Sequence, residues 1–221
     1  MFGVGKGWVT AVDQRPPLAR PGLFVERNAR SDLRPHRTRA NWTMSQLHNP
    51  DAKSSSADTS ENASPFRRAK ILTVSDGVIA GTREDKSGQA LETFLVESGW
   101  TVIERRQVAD GVQSVSDELQ EMTSGFTGLV VTTGGTGFGP RDLTPEGTLA
   151  VLDRQAPGMA EAMRMCNERG LGRLSRAVAG TRGRCLILNT PGSTNGARET
   201  LEAVLDVVPH AVELLAGERP H

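Results

Sequence analysis

Gly128-Leu-Val-Val-Thr-Thr-Gly-Gly-Thr-Gly-Phe-Gly-Pro-Arg-Asp-Leu-Thr-Pro-Glu146 is the stretch on which the fold turns. Leu129, Val130 and Val131 predict a buried β-strand. The strand runs directly into Thr132-Thr133-Gly134-Gly135-Thr136-Gly137, a turn with more glycine and threonine than packing alone demands. Backbone without side chains can approach a ligand closely and present N–H groups to an anion. Arg141 and Asp142 follow, and then Thr144-Pro145-Glu146. Those last three read as a helix start, with a hydroxyl cap, Pro at the first position and an acid in the first turn. Strand, Gly/Thr loop, charged pair and helix form the layout of a phosphate-handling site at the carboxyl end of an α/β sheet. The G-x-G-x-x-G dinucleotide fingerprint is absent.

The segments on either side extend the pattern. Strands are expected at Lys70–Ser75, Trp100–Val108 and Leu129–Thr132, and helices at Gly88–Ser98 and Val112–Met122. Gly99 reads as the stop of the first helix, and Val112, Val115, Leu119 and Met122 share one face of the second. Further helices are expected at Thr144–Asp153 and Gly158–Glu168. Strands follow at Ala177–Gly180 and Arg184–Asn189, around a Thr181-Arg182-Gly183 turn, and a long terminal helix, Asn195–Ala216, is expected to kink at Pro209. Successive βα units predict a three-layer α/β/α sandwich with a mostly parallel sheet. In such a sheet the first three strands end on one edge, so Asp76, Asp110 and Asp142 are expected to face a common crevice.

Composition limits the alternatives. The 221-residue chain has formal net charge zero, unevenly spread. Residues 1–43 hold eight Lys/Arg against three Asp/Glu, whereas residues 70–221 hold fifteen against twenty. A mildly acidic body argues against nucleic acid as partner. Cys166 and Cys185 form no CxxC pair and no zinc-ligand spacing with His. No apolar run reaches the roughly 18 residues of a membrane span. Residues 1–66 are read as a disordered leader before a domain at 67–221, because the Arg/Pro-rich start and the polar run at 54–65 offer little to bury. An organelle transit peptide and a partner-binding basic tail are alternatives for residues 1–43; the favoured reading starts the protein at Met44.

The loop TTGGTG with PRDLTPE resembles the signature of the molybdenum-cofactor biosynthesis family of the MogA/MoaB type, which includes the gephyrin G domain. Six other segments agree in order: TVSD at Thr73–Asp76, EDKSG at Glu84–Gly88, VADG at Val108–Gly111, APGMAEAMR at Ala156–Arg164, LSRAVAG at Leu174–Gly180 and LNTPGS at Leu188–Ser193. The resemblance spans about residues 70–217. It implies molybdopterin adenylyltransferase activity, with ATP and molybdopterin as substrates and Mg²⁺ as cofactor. It also implies catalytic and Mg²⁺-positioning roles for Asp110 and Asp142. Phosphate or nucleotide binding falls on Thr133, Gly134, Gly135, Thr136 and Gly137, and on Ser75, Asp76, Asp85, Ser87 and Gly88 of the first βα loop. Pterin binding falls on Ser175, Arg176, Gly192 and Ser193. Pro191-Gly192-Ser193-Thr194 lacks a proline that the family often carries after this turn. The family further implies a homotrimer that passes its product to a molybdate-insertion enzyme, and reduced thiols in the cytoplasm are the simplest reading of the two cysteines. Two rival functions remain open at this point: a pterin-binding scaffold without catalysis, and a nucleotide hydrolase of the competence-damage type, which shares the TGGTG region.

Overall fold

The computed structural model describes residues 66–218 apart from 168 and 169. The expectations for the leader, including a start at Met44, lie outside the described residues.

Three strands, β1 (Arg68–Val74), β2 (Thr101–Val108) and β3 (Thr127–Thr133), are followed by β4 (Arg154–Gln155), β5 (Ala179–Arg182) and β6 (Arg184–Thr190). They form one sheet in the order β2-β1-β3-β6-β5-β4. The first four neighbours run parallel, while β5 and β4 add an antiparallel edge. Helices α1 (Asp76–Ile79), α2 (Lys86–Glu97), α3 (Val112–Thr123), α4 (Thr144–Leu149), α5 (Pro157–Met165), α6 (Thr194–Glu202) and α7 (Val208–Ala216) complete the described chain.

Strand alternation divides the core into two layers. Ile71, Leu129, Val131, Leu186 and Leu188 pack against Leu91 and Leu95 of α2, Met163 of α5, Leu201 of α6 and Val212 of α7. Leu72, Val74, Val130 and Ile187 face the other way, onto Val115, Leu119 and Met122 of α3. Each such side chain contributes about 1.5–3 kcal/mol when fully buried. The three-layer sandwich expected from the βα repeats is therefore present. Chain order reverses at β1: the first crossover leads outward to β2, and the second returns past β1 to β3. The carboxyl ends of β1 and β3 thus bound a topological switch point, where open α/β sheets hold ligands.

Several local expectations change. The helix at Thr144 stops at Leu149, because Val151 turns into the core and Arg154–Gln155 pair with β5. The next helix begins at Pro157, one residue early, and stops at Met165, short of Glu168. The long terminal helix is two helices, not one kinked helix. Proline inside a helix would clash with the carbonyl four residues back and would leave it without its N–H partner. With Pro209 in the first turn of α7 neither cost arises.

Candidate active site

β3 is buried on both faces, as a continuous apolar run in a parallel sheet requires. Its carboxyl end is stitched to β6 by polar contacts. Thr133 Oγ1 donates to the Pro191 carbonyl at 2.8 Å, and Thr190 Oγ1 to that of Thr132 at 2.9 Å. Gly134 N–H donates to the Thr190 carbonyl at 3.2 Å. Beneath them Asn189, fully buried, donates through Nδ2 to the hydroxyls of Thr132 at 2.9 Å and Thr148 at 3.0 Å. Its Oδ1 accepts from Val178 N–H at 3.2 Å.

The glycine loop leaves this platform with φ of +102° at Gly134 and +61° at Gly135. A Cβ on Gly134 would lie 2.2 Å from the Val74 carbonyl oxygen, so the loop presses directly on the end of β1. A Cβ on Gly135 would lie 2.3 Å from Thr144 Oγ1 and 3.0 Å from Asp110 Oδ1. Thr144 is the first residue of α4, not its cap: Leu143 holds the cap position and no side chain caps the helix. The Thr144 hydroxyl is buried and has no hydrogen-bond partner among the described residues, while its N–H donates to the Gly135 carbonyl at 3.0 Å.

The aspartates reach this loop from different connections. Asp110, after β2, accepts Asp76 N–H on Oδ2 at 2.8 Å, and Asp76 Oδ1 accepts Asp110 N–H at 3.0 Å. Arg141 grips both oxygens of Asp76 at 3.0 Å and donates to the Asp110 carbonyl. The Arg141 guanidinium therefore holds the Asp76 carboxyl below its ordinary value. Asp142 closes its own turn: Oδ2 accepts Gly139 N–H at 2.8 Å, and Asp142 N–H donates to the Gly139 carbonyl at 3.0 Å.

These pieces border one cleft of about 1600 Å³. Both Asp110 and Asp142 line it, as do Thr133, Gly134, Gly135, Thr136 and Gly137. Ser75, Ser87, Ser175, Gly192 and Ser193 line it too. Four other expected site residues do not line it. Asp76 pairs with Arg141. Asp85 caps α2 by accepting Gly88 N–H at 2.9 Å, and also binds Thr73 Oγ1 at 2.9 Å and Arg105 Nη2 at 2.8 Å. Gly88 is needed there because a Cβ would meet the Asp85 carboxylate at 2.4 Å. Arg176 turns its guanidinium onto the glycine loop's own carbonyls. Ser193 occupies the cap position of α6, but its side chain makes no capping bond. The far wall adds residues that the sequence did not single out, including Arg164, Asn167 and Glu199.

Among the described residues no cluster of three or more His, Cys, Asp or Glu side chains forms a metal cage. One oxygen each of Asp110 and Asp142 carries no hydrogen bond among the described residues. That donor set fits a hard cation that takes one or two carboxylates and completes its shell with water and phosphate. No helix among the described residues is long and apolar enough to cross a membrane.

Residues 70–210 match the family described as a probable molybdopterin binding domain. A molybdopterin adenylyltransferase of Helicobacter pylori is 40% identical over 152 residues, covering 66% of this chain and 86% of that protein. Its counterpart in Escherichia coli is 36% identical over 167 residues, covering 68% and 86%. The molybdopterin biosynthesis enzyme MoaB of Thermus thermophilus superposes with a TM-score of 0.65 at 44% identity, covering 69% of this chain and 98% of that one. Glycine loop, switch-point cleft and matched sequence coincide, and the chain belongs to the molybdenum-cofactor biosynthesis family of the MogA/MoaB type.

Proposed function

We propose that this protein is a molybdopterin adenylyltransferase. It joins the AMP moiety of ATP to the terminal phosphate of molybdopterin and releases pyrophosphate. One bond forms, from a phosphate oxygen of the pterin to the α-phosphorus; one breaks, between that phosphorus and the oxygen bridging to the β-phosphate. The attacking oxygen is already anionic at neutral pH, so positioning and charge neutralisation carry the rate.

One observation carries the reading: two carboxylates from separate βα connections flank a bare-backbone loop in a single cleft. Its volume, about 1600 Å³, exceeds the roughly 300–1,000 Å³ of a pocket for one small ligand, which suits two substrates held together. The N–H groups of Gly135, Thr136 and Gly137 are assigned to phosphate oxygens. Asp110 and Asp142 are assigned to Mg²⁺ and to alignment of the attacking phosphate. When bound, the cation would screen the triphosphate and stabilise the departing pyrophosphate. Ser175, Gly192 and Ser193 are assigned to the pterin. A cytoplasmic homotrimer and transfer of the product to a molybdate-insertion enzyme belong to the same proposal.

Incubation with molybdopterin, ATP and Mg²⁺ tests it directly. The expected product is adenylylated pterin by mass, with pyrophosphate release that requires the pterin. Pterin binding with no such product would make the protein a scaffold. Phosphate or AMP released from nucleotide without pterin would make it a hydrolase.

A further inference from the structure

Arg176 lies between the 3-10 turn Leu171–Leu174 and β5, far in sequence from the loop it touches. Its guanidinium spans that loop. Nε donates to the Gly137 carbonyl at 2.7 Å, Nη2 to the Asp142 carbonyl and Nη1 to Glu146 Oε1. Its backbone N–H donates to the Thr136 carbonyl at 2.9 Å. Three acceptors thus belong to the two limbs of the Thr136–Asp142 loop, and the fourth to the first turn of α4. Burial, the largest single effect, pushes the Glu146 carboxyl up, but the Arg176 hydrogen bond, a hydrogen bond from its own backbone and the Arg176 charge together hold it below its ordinary range. Its second oxygen, Oε2, is buried without a partner among the described residues. Arg176 thus pairs with Glu146 at the base of the loop, with both side chains about a third exposed.

We propose that Arg176 and Glu146 are positioning residues that lock the Asp142 turn, and that Arg176 does not serve as an anion ligand in the cleft. This rests on the adenylyltransferase reading only for what the locked turn is used for. A guanidinium suits the task because its planar fork meets several carbonyls at fixed angles, which the point charge of Lys cannot copy. Neither Arg176 nor Glu146 lines the cleft, so altering them leaves its surface chemistry intact. What changes is the anchoring of the turn whose Asp142 Oδ2 and Gly139 N–H face each other at 2.8 Å.

Arg176→Lys and Glu146→Gln test the proposal by two measurements. The first is amide hydrogen exchange in the metal-free proteins. Residues 136–143 should exchange about tenfold faster or more, while the β3 core at Leu129–Val131 keeps wild-type protection. The second is adenylyl transfer. The kcat should fall about 10–100-fold, the usual cost of losing a group that orients a metal ligand. The KM for molybdopterin should stay within about twofold, and the Mg²⁺ concentration for half-maximal rate should rise. Wild-type exchange and kcat in Glu146→Gln would overturn the lock. So would an Arg176→Lys protein whose only defect is a raised KM for molybdopterin, because that is the mark of a direct anion ligand. If Arg176→Lys does not fold, Glu146→Gln decides alone. If the wild-type protein makes no adenylylated pterin, the activity assignment fails, while the exchange measurement still decides the lock.

Discussion

Replacing Gly135 by Ala places a methyl group at the junction of the glycine loop, α4 and Asp110. Two separate costs follow. At φ +61° an L side chain sits in the left-handed region, which costs about 1–2 kcal/mol. The added Cβ also meets Thr144 Oγ1 at 2.3 Å and Thr144 Cβ at 3.3 Å. Thr144 is fully buried and cannot swing away, so overpacking adds about 1–3 kcal/mol. The sum is about 2–5 kcal/mol, a large part of the ~5–15 kcal/mol stability of an ordinary domain. For a domain near 150 residues it lowers Tm by about 5–20 °C. Thr144→Ala separates the costs. It removes an unpartnered hydroxyl, which is favourable, and a buried methyl, which is not, so alone it is expected to change stability by less than about 1 kcal/mol. Combined with Gly135→Ala it should relieve the steric cost and leave the φ cost, a coupling of about 1–3 kcal/mol in a urea-denaturation cycle. Activity should not return with stability, because the methyl still lies 3.0 Å from Asp110 Oδ1. Additivity within about 0.5 kcal/mol, or a Gly135→Ala protein as stable as its parent, would refute the reasoning.

Asp142→Asn keeps an oxygen to accept Gly139 N–H, so its Tm should match wild type within about 2 °C, while pterin adenylylation drops by about 10²-fold or more; a folded variant at wild-type rate removes Asp142 from the chemistry. Asn189→Leu strands the Val178 N–H and strips both threonine hydroxyls of their donor, and should cost about 2–4 kcal/mol by urea denaturation; an unchanged midpoint would show that Asn189 is dispensable. Because the folded Asp76 carboxyl titrates below its ordinary value of 3.8, its pairing with Arg141 is fully present above that pH and lost as pH falls through the lowered value. NMR titration should give a midpoint below 3.8 in wild type and an upward return in Arg141→Gln; identical midpoints would dissolve the pair.

Features set by near neighbours in sequence could be read before the structure was known. The apolar run at Leu129–Val131, the stop at Gly99 and the helical spacing of Val115, Leu119 and Met122 each depend on residues within a few positions, and the parallel sandwich follows from their repetition. Convergence of Asp110 and Asp142 was likewise legible, because strand ends in a parallel sheet share one edge. What stayed hidden depends on distant partners. Thr144 resembles a cap in sequence, but contact with Gly135 makes it a buried helical residue. Asp85 resembles a site carboxylate, yet Arg105, twenty positions on, captures it for α2 and β2. Arg176 has acceptors between 30 and 40 positions away. Asn189 left a trace, a lone amide in the apolar run of β6, but its threonine partners are 41 and 57 positions distant. Pro209 pointed to a distortion; whether the helix bends or breaks depends on packing beyond local propensity.

Under the proposed function, Asp110 and Asp142 share a division of labour that lets a constrained loop serve chemistry. Each uses Oδ2 to lock a backbone N–H, Asp76 in one case and Gly139 in the other. Each therefore keeps one oxygen outside the local hydrogen-bond network while its carboxyl plane is already fixed. A group oriented in this way needs no reordering when a charged ligand arrives, which is the condition under which electrostatic stabilisation is most effective. The partners differ in reach. Asp110 is cross-tied to Asp76 and through it to Arg141, which itself belongs to the Asp142 turn. The segments that carry the two carboxylates are thus linked through one arginine. The glycine loop between them is held by hydrogen bonds on both sides as well as left bare.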